Sequence, residues 1–135
     1  MKYINKSFSI ENIKAQNLAK KFNTPIYCYS YKLLKENIIN FNKNFKSFKP
    51  LVCFAVKANS NIGILKEIRK LGLGADVVSM GELMKALKAG ISPKKIVFSG
   101  VGKTSDEIKY AIEKKILLIN AESESEIKEI NRVAK

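Results

Sequence analysis

A lysine at the end of an apolar run is the first residue in this sequence whose position could carry chemistry. The stretch VCFAVKANSN, residues 52–61, is apolar up to Lys57 and then turns polar through Asn59, Ser60 and Asn61. An amine at the end of a buried strand, with apolar walls beneath it, is poorly solvated, and this favours its reaction with a carbonyl group. The ordinary alternative is a lysine that extends from a strand end into water. Position alone leaves both alternatives open.

Lys57 lies in a repeated pattern that would position it. Four short apolar runs recur at nearly regular spacing: LVCFAV from Leu51, ADVVS from Ala75, KIVFS from Lys95 and ILLIN from Ile116. The intervals have room for one helix and two short loops, which predicts βα units. The runs are almost continuously apolar, as is typical of a parallel sheet covered by helices. In such a fold the carboxyl ends of the strands form the functional face, where Lys57 would lie.

The segments between the apolar runs carry the signals of helix ends. Gly72 and Gly90 follow two amphipathic stretches and predict their C-termini. A serine or threonine with a glutamate three residues later predicts a capping box at the start of three helices: Ser79 with Glu82, Thr104 with Glu107, and Ser123 with Glu126. These three equivalent signals indicate one repeated structural unit.

The residues before the repeat follow another pattern. A short amphipathic helix is expected near residues 13–22, a strand over residues 24–30 (TPIYCYS) and a longer helix over about 31–45. The strand does not fit the period of the repeat, so we expect it to join another sheet. A closed eight-stranded βα barrel needs roughly 200 residues or more. Four βα units would reach halfway round such a barrel, and the chain is expected to be a piece of a longer protein.

Composition excludes several classes of protein. The formal net charge is +13, but the 25 basic residues are scattered and form no basic-aromatic stripe, so nucleic acid is not an expected partner. Cys28 and Cys53 form no CxxC pair, so we expect free thiols and no metal site. No stretch has the length of a membrane span and no signal peptide is apparent, so we expect a cytoplasmic protein without membrane contact.

A second lysine lies in a motif that resembles a phosphate-binding loop. VFSGVGKT, residues 97–104, combines a strand, Gly102, Lys103, Thr104 and the start of a helix. The phosphate loop GxxxxGK[ST] requires a glycine where this chain has Val97. We therefore expect an ordinary βα loop in which Thr104 caps the next helix.

Several separate motifs, in this order, carry a resemblance to a known family. TPIYCYS, FAVKANSNIGILKEIRKLGLGADVVSMGELMKALKAG, KKIVFSG, KTSDEI and INAESESEI resemble the N-terminal part of the diaminopimelate decarboxylases. These are pyridoxal-phosphate enzymes with a barrel like that of alanine racemase. The resemblance extends from about residue 15 to residue 135.

The resemblance implies a fold, a cofactor and two site residues. Residues 49–135 would be the first four βα units of a pyridoxal-phosphate-binding (β/α)8 barrel, the N-terminal half of an α/β TIM barrel. Residues 1–48 would be a lead-in segment whose strand 24–30 joins a second, β-rich domain. In this family the lysine of the KAN motif binds the cofactor covalently, and Lys57 matches it. Asp76 would face the cofactor and orient Lys57 or balance its charge, with a loop-capping role as the alternative.

The activity implied is decarboxylation of meso-2,6-diaminopimelate to L-lysine and CO₂ in lysine biosynthesis, by an enzyme that is a homodimer. Alternatives are an ornithine or arginine decarboxylase of the same fold, or a non-enzymatic pyridoxal-phosphate-binding barrel protein. Ser79 and Glu82 are explained as capping residues, with a direct chemical role as a second possibility. The chain contains no histidine to stack on the cofactor ring. We expect residues 1–135 alone to be inactive.

Overall fold

Residues 1–49 and residues 50–135 form two units, each built on its own sheet. The structure is a computed structural model that describes residues 2–4, 7–45, 47–48 and 50–135. In the first unit, an antiparallel sheet of three short strands precedes two helices. The strands are β1 (Lys2–Ile4), β2 (Ser7–Ile10) and β3 (Ile13–Lys14), and the helices are α1 (Ala15–Phe22) and α2 (Tyr31–Lys43). Both helices correspond to those predicted from the sequence.

The three short strands were not predicted, and their burial explains why. On β2 the polar Ser9 is buried, whereas its neighbour Phe8 is 39 % exposed and lies against Tyr3 with 5.4 Å between ring centroids. A pattern with the polar residue inside and the aromatic residue outside reverses the alternation by which half-buried strands are recognised. Strands of two to four residues also provide too few positions for a period to be detected.

The strand predicted over residues 24–30 is not observed. These residues form bends and irregular backbone, and no strand pairs with them in the described part of the chain. Tyr27 is 92 % exposed and Tyr29 is 57 % exposed. The sequence has the β-branched and aromatic residues that suit a strand, but a strand also requires a partner for its backbone hydrogen bonds.

Residues 50–135 contain the predicted βα repeat. The strands β4 (Cys53–Ala55), β5 (Gly74–Val77), β6 (Ile96–Phe98) and β7 (Leu118–Ile119) pair in parallel, in that order. They alternate with the helices α3 (Ile62–Lys70), α4 (Met80–Lys88), α5 (Ser105–Glu113) and α6 (Glu124–Ala134). Each strand falls on one of the four apolar runs, with Gly74 of β5 one residue ahead of its run, so the α/β class and the parallel sheet are confirmed.

The core lies between the sheet and the helices on one face. Val77 and Phe98 from the strands and Leu65 and Leu83 from the helices are fully buried. Side chains alternate along a strand, so the residues between these positions project from the opposite face. That face is only partly covered in the 135-residue chain, where Leu118 is 50 % exposed.

The three predicted capping boxes form in two different ways. Thr104 and Glu107 form the full reciprocal pair at the start of α5. At α4 the Ser79 hydroxyl accepts the Glu82 N–H, but the Glu82 carboxylate accepts the N–H of Val78, one residue before the cap. Ser123 and Glu126 repeat this second arrangement at α6, where the Glu126 carboxylate accepts the N–H of Glu122. Ser79 and Ser123 have φ near −157° and −156°, whereas Thr104 has φ −76°, and this difference in backbone changes which N–H faces the glutamate.

Candidate functional site

The parallel register brings the predicted site residues to one edge of the sheet. Ala55 on β4 pairs with Asp76 on β5, and Asp76 pairs with Val97 on β6. Lys57 follows Ala55 by two residues, so it lies at the carboxyl edge beside the strand that carries Asp76. The carboxyl edge of a parallel sheet is where open α/β folds and barrels bind their ligands.

Lys57 lies in a single 3₁₀ turn, Val56–Ala58, that ends the first repeat strand. Val56 before it is fully buried, but Lys57 is exposed in the 135-residue chain. The polar residues after it build the next helix start: the Asn59 side chain accepts the Asn61 N–H at 3.0 Å, and the Asn61 side chain accepts the Gly63 N–H at 2.8 Å. The abrupt change from apolar to polar sequence therefore has a structural cause, and it leaves the lysine at the edge.

Asp76 lies on a neighbouring strand in an unusual environment. Its Oδ1 atom is buried and has no hydrogen-bond partner among the described residues. A buried carboxylate oxygen without a donor is costly, so such an atom calls for a proton, a cation or a bound donor. This orphaned acceptor at the edge that carries a lysine fits the polar groups of a cofactor with hydrogen-bond donors.

Cys53 lies on β4, two residues before Ala55, and both cysteines are free. Burial raises the pKa of the Cys53 thiol, and the negative charge of Asp76 raises it further. A raised pKa keeps the sulfur protonated and weakly nucleophilic. Cys53 is therefore a packing residue. No group of three or more histidine, cysteine or acidic side chains is placed to hold a metal within the described residues.

Ser79 and Glu82 are both engaged at the start of α4. The Ser79 hydroxyl lies 3.3 Å from the Glu82 nitrogen, and Glu82 Oε2 lies 3.0 Å from the Val78 nitrogen. A third carboxylate contributes, because Glu107 Oε1 accepts the N–H of Met80 at 3.0 Å. The capping interpretation of Ser79 and Glu82 is thus sufficient to explain both residues.

Lys103, in the motif that resembles a phosphate loop, is not free to bind a phosphate. The Lys103 side chain is 1 % exposed and forms an ion pair with Glu126 at 3.3 Å. It also donates to the carbonyl oxygens of Gly100 and Asn120. Thr104 caps α5, as the ordinary interpretation of this loop expects. The expectation of an ordinary βα loop is therefore confirmed.

Two polar residues at the same edge were missed from the sequence. Asn120 Nδ2 donates to Ser99 Oγ at 3.0 Å. Ser99 follows the buried Phe98, and Asn120 follows Ile119, which packs on the core. By alternation both side chains project from the face of the sheet that carries Asp76. The available signal was similar to the one used for Lys57, since each residue is the polar residue that ends an apolar run.

An open groove of about 650 Å³ lies away from this edge, on the helical layer. Its lining comes from α3, α4 and α5 and includes Met84, Tyr110 and three lysines. None of the residues at the strand ends contributes to it, so it is not part of the candidate site. In the described part of the chain, no helix combines the length and apolar character needed to cross a membrane.

Comparison with known protein families gives a match to most of this chain. Residues 31–135 match the family described as "Pyridoxal-dependent decarboxylase, pyridoxal binding domain". The chain belongs to this family. The pyridoxal-dependent decarboxylases use pyridoxal phosphate, so the cofactor implied by the resemblance is confirmed for the family.

The individual proteins to which this chain is similar include diaminopimelate decarboxylases and an ornithine decarboxylase. A diaminopimelate decarboxylase of Helicobacter pylori is 48 % identical over 119 residues, which cover 88 % of this chain and 29 % of that protein. The crystal structure of a Helicobacter pylori diaminopimelate decarboxylase complexed with L-lysine has a TM-score of 0.84 and 46 % identity, covering 87 % of this chain and 30 % of that one. An ornithine decarboxylase of Entamoeba histolytica has a TM-score of 0.66 and 27 % identity, covering 89 % and 38 %. The chain spans less than a third of the length of the two diaminopimelate decarboxylases.

Proposed function

We propose that residues 1–135 are the N-terminal part of a diaminopimelate decarboxylase, which converts meso-2,6-diaminopimelate to L-lysine and CO₂. The observation that carries the proposal is that the KAN-motif Lys57 and the orphaned carboxylate oxygen of Asp76 lie on neighbouring strand ends, at one carboxyl edge of the sheet. This arrangement lies within the segment that matches a pyridoxal binding domain. The higher identity to a diaminopimelate decarboxylase among the solved structures, 46 % against 27 % for the ornithine enzyme, favours this activity over the alternatives.

Lys57 and Asp76 have distinct roles in this proposal. When bound, pyridoxal phosphate supplies the electron-accepting ring that makes loss of an α-carboxylate possible. Lys57 holds the cofactor through its ε-amine, which lies at the exposed end of the strand and can reach a bound carbonyl compound. Asp76 accepts a hydrogen bond from a donor at the edge, and its negative charge favours the protonated form of a nearby nitrogen. The fully buried Val56 next to Lys57 keeps that lysine at a defined position.

The remaining architecture is also part of the proposal. Residues 49–135 would supply the first four βα units of the barrel, whose interior would enclose the partly covered face that carries Asp76 and Leu118. Residues 1–48 would be the lead-in segment, in which the unpaired stretch 24–30 joins a sheet of a β-rich domain. The complete enzyme would act on an amino acid as a cytoplasmic homodimer. The free state of both cysteines supports a reducing compartment.

Covalent capture of the cofactor tests the role of Lys57. The chain is incubated with pyridoxal phosphate, reduced with borohydride and digested, and the modified peptides are identified by mass. We expect the label to concentrate on Lys57 and to disappear from that peptide in Lys57→Arg. The matched control is Lys66→Arg, which alters an exposed lysine on α3 and should leave the Lys57 label unchanged. Labelling spread evenly over the exposed lysines would overturn the proposed site.

A chimeric enzyme tests the reaction. Residues 1–135 replace the matching N-terminal part of the Helicobacter pylori diaminopimelate decarboxylase, and CO₂ release from meso-diaminopimelate is measured. We expect activity, and a decrease of at least about 1,000-fold on Lys57→Arg, since the covalent attachment point is lost. A folded chimera without activity would contradict the proposal.

The choice of substrate requires a different measurement. The transcript is sequenced beyond codon 135, and the product of the continued frame is assayed with diaminopimelate, ornithine and arginine. Preference for diaminopimelate is expected. Preference for ornithine or arginine would replace the proposed substrate while leaving Lys57 as the cofactor lysine.

A further inference from the structure

Lys103 is a buried cation whose hydrogen-bonding capacity is fully used. A lysine ammonium has three N–H donors. In this chain the ammonium donates to the Gly100 carbonyl oxygen, to the Asn120 carbonyl oxygen at 2.8 Å and to the Glu126 carboxylate at 3.3 Å. It also lies 5.7 Å from the centre of the Phe98 ring. With a side chain 1 % exposed, Lys103 has no free donor with which to bind a phosphate or other ligand.

The two carbonyl groups belong to consecutive strand ends. Gly100 follows β6 and Asn120 follows β7, so one ammonium joins segments that are 20 residues apart in sequence. Gly100 has φ +90°, and a Cβ there would lie 3.3 Å from Val78 Cβ, so the Gly100 backbone also packs on the segment after β5. Lys103 therefore holds together the carboxyl edge on which the candidate site depends.

The hydrogen-bonded Ser99 and Asn120 are among the side chains that this edge presents. The Ser99 N–H donates to the Val77 carbonyl and the Asn120 N–H donates to the Phe98 carbonyl, so both backbones continue the ladder of the sheet. Ser99 is one residue from the Gly100 carbonyl that Lys103 binds, and Asn120 supplies its own carbonyl to Lys103. Their side chains project from the face of Asp76. A displacement of either carbonyl would move this pair.

We propose that Lys103 is a positioning residue for the cofactor site, acting through the paired Ser99 and Asn120. The inference rests on the proposed function, because it takes the carboxyl edge to be the place where pyridoxal phosphate binds. The Ser99 hydroxyl, which already accepts from Asn120, has its own proton to donate to an oxygen of the bound cofactor. Lys103 itself touches neither cofactor nor substrate.

Variants of Lys103 and its ion-pair partner Glu126 distinguish a role of Lys103 in positioning the cofactor site from a role in stability alone. Glu126→Gln removes the ion pair but keeps the ammonium on the two carbonyl groups. The double variant Lys103→Met with Glu126→Gln removes the ammonium without leaving an unpaired buried carboxylate, which the single Lys103→Met would do. Ser99→Ala removes the proposed donor from an exposed hydrogen bond and leaves Lys103 in place.

The first measurement is amide hydrogen exchange on these chains without cofactor. Relative to Glu126→Gln, we expect the double variant to exchange at least about 10-fold faster in residues 98–102 and 118–122, with residues 83–91 of the α4 region unchanged. Equal exchange in the two variants would overturn the proposal. Amide exchange does not depend on pyridoxal phosphate. It therefore still tests whether Lys103 orders this edge if the labelling of wild-type Lys57 fails and the proposed function with it.

The second measurement is the concentration of pyridoxal phosphate that half-saturates borohydride labelling of Lys57. We expect it to rise about 10-fold in the double variant and in Ser99→Ala, and to remain within about 2-fold of wild type in Glu126→Gln. Faster exchange with unchanged half-saturation in the double variant would make Lys103 a purely structural residue and overturn the inference. An unchanged value in Ser99→Ala would overturn the route through Ser99 and Asn120.

Discussion

At the scale of single residues, Gly74 shows how closely the strands approach one another beneath the candidate site. Gly74 begins β5, pairs with Cys53 on β4 and is buried. A Cβ at this position would lie 2.1 Å from the Lys95 carbonyl oxygen and 2.9 Å from Cys53 Sγ. The first of these atoms is backbone and cannot move without displacing a neighbouring strand. A side chain is therefore excluded for steric reasons, although the backbone angle of Gly74 is ordinary.

Substitution of Gly74 tests this packing. We expect Gly74→Ala to lower the free energy of unfolding by about 1–3 kcal/mol, because the added methyl group overpacks a buried position against the Lys95 backbone. Urea denaturation followed by circular dichroism measures the change. The control is Gly81→Ala in α4, where a Cβ meets only Ser79 Oγ at 4.0 Å and the better helix propensity of alanine should add up to about 1 kcal/mol. Equal effects at the two glycines would refute the steric argument.

Lys57 and Lys103 differ in how far each could be interpreted from its neighbours in sequence. An apolar run before Lys57 and polar residues after it were enough to place it at a strand end. The local context of Lys103, GVGKT, resembles part of a phosphate loop and does not indicate that this lysine is buried. Only the fold brings Asn120 and Glu126, which are 17 and 23 residues further along the chain, to its ammonium. The lysine is buried because of these distant acceptors, which no local motif contains.

At the scale of elements, the C-termini of α3, α4 and α5 share one geometry. In each helix the second residue past the C-cap returns a hydrogen bond to the last turn: Leu73 to Ile68, Ile91 to Ala86 and Ile116 to Ala111. This motif requires a left-handed residue just before. Gly72 and Gly90 occupy that position with φ +86° and +84°, whereas α5 uses Lys115 with φ +53°. Two of the three helices therefore end as their sequence predicts, and the third adopts the same end at a steric cost.

Replacement of Lys115 by glycine should recover that cost. We expect Lys115→Gly to raise the free energy of unfolding by about 0.5–1 kcal/mol. Glycine relieves the strain of the left-handed backbone, and this gain exceeds the loss caused by the greater freedom of glycine in the unfolded chain. Thermal and urea unfolding measure it. Lys109→Gly, at an exposed position in the middle of the same helix, should instead lower stability by about 1 kcal/mol. Destabilisation by both substitutions would contradict the assigned helix end.

At the scale of the whole molecule, several carboxylates link stability to pH. The N–H groups of Thr104 and Met80 hold the pKa of Glu107 below its ordinary value of 4.5. Burial acts to raise the pKa of Glu126, but the Glu122 N–H and Lys103 outweigh it and the pKa is lowered. Arg132 and Ser105 lower the pKa of Glu129 to about 2. Because each carboxylate binds its proton less readily in the folded chain, the folded state loses stability when these groups are protonated.

The expected pH dependence follows from the direction of these pKa shifts. The contribution of the carboxylates is fully present above about pH 4.5, the pKa of an unfolded glutamate, and is lost as the pH falls through the lowered values toward 2. Urea denaturation at pH 7, 5, 4 and 3 should give a plateau followed by a decline. Glu107→Gln should be less stable at pH 7 and decline less on acidification. Glu36→Gln, which removes an exposed ion pair with Lys32, controls for the loss of one negative charge. Constant stability down to pH 3 would contradict the prediction.

The repeat, its helix boundaries and the location of Lys57 were all determined by local sequence. Apolar runs at regular spacing report which segments are buried, and caps and glycines report where helices begin and end. These signals act over a few residues, and the residues that produce them are adjacent in the chain. The same reasoning placed Asp76 in the second of the four apolar runs, and its proposed role came from the family resemblance.

The pairings between distant residues were decided by the tertiary structure. Residues 24–30 have strand-forming side chains but pair with no strand among the described residues. A strand depends on a second segment, which no local pattern reveals. The burial of Lys103, the orphaned oxygen of Asp76 and the hydrogen bond between Ser99 and Asn120 all arise from the register of parallel strands. Register is set by packing between residues some 20 positions apart, and this is why the functional edge becomes visible only in the folded chain.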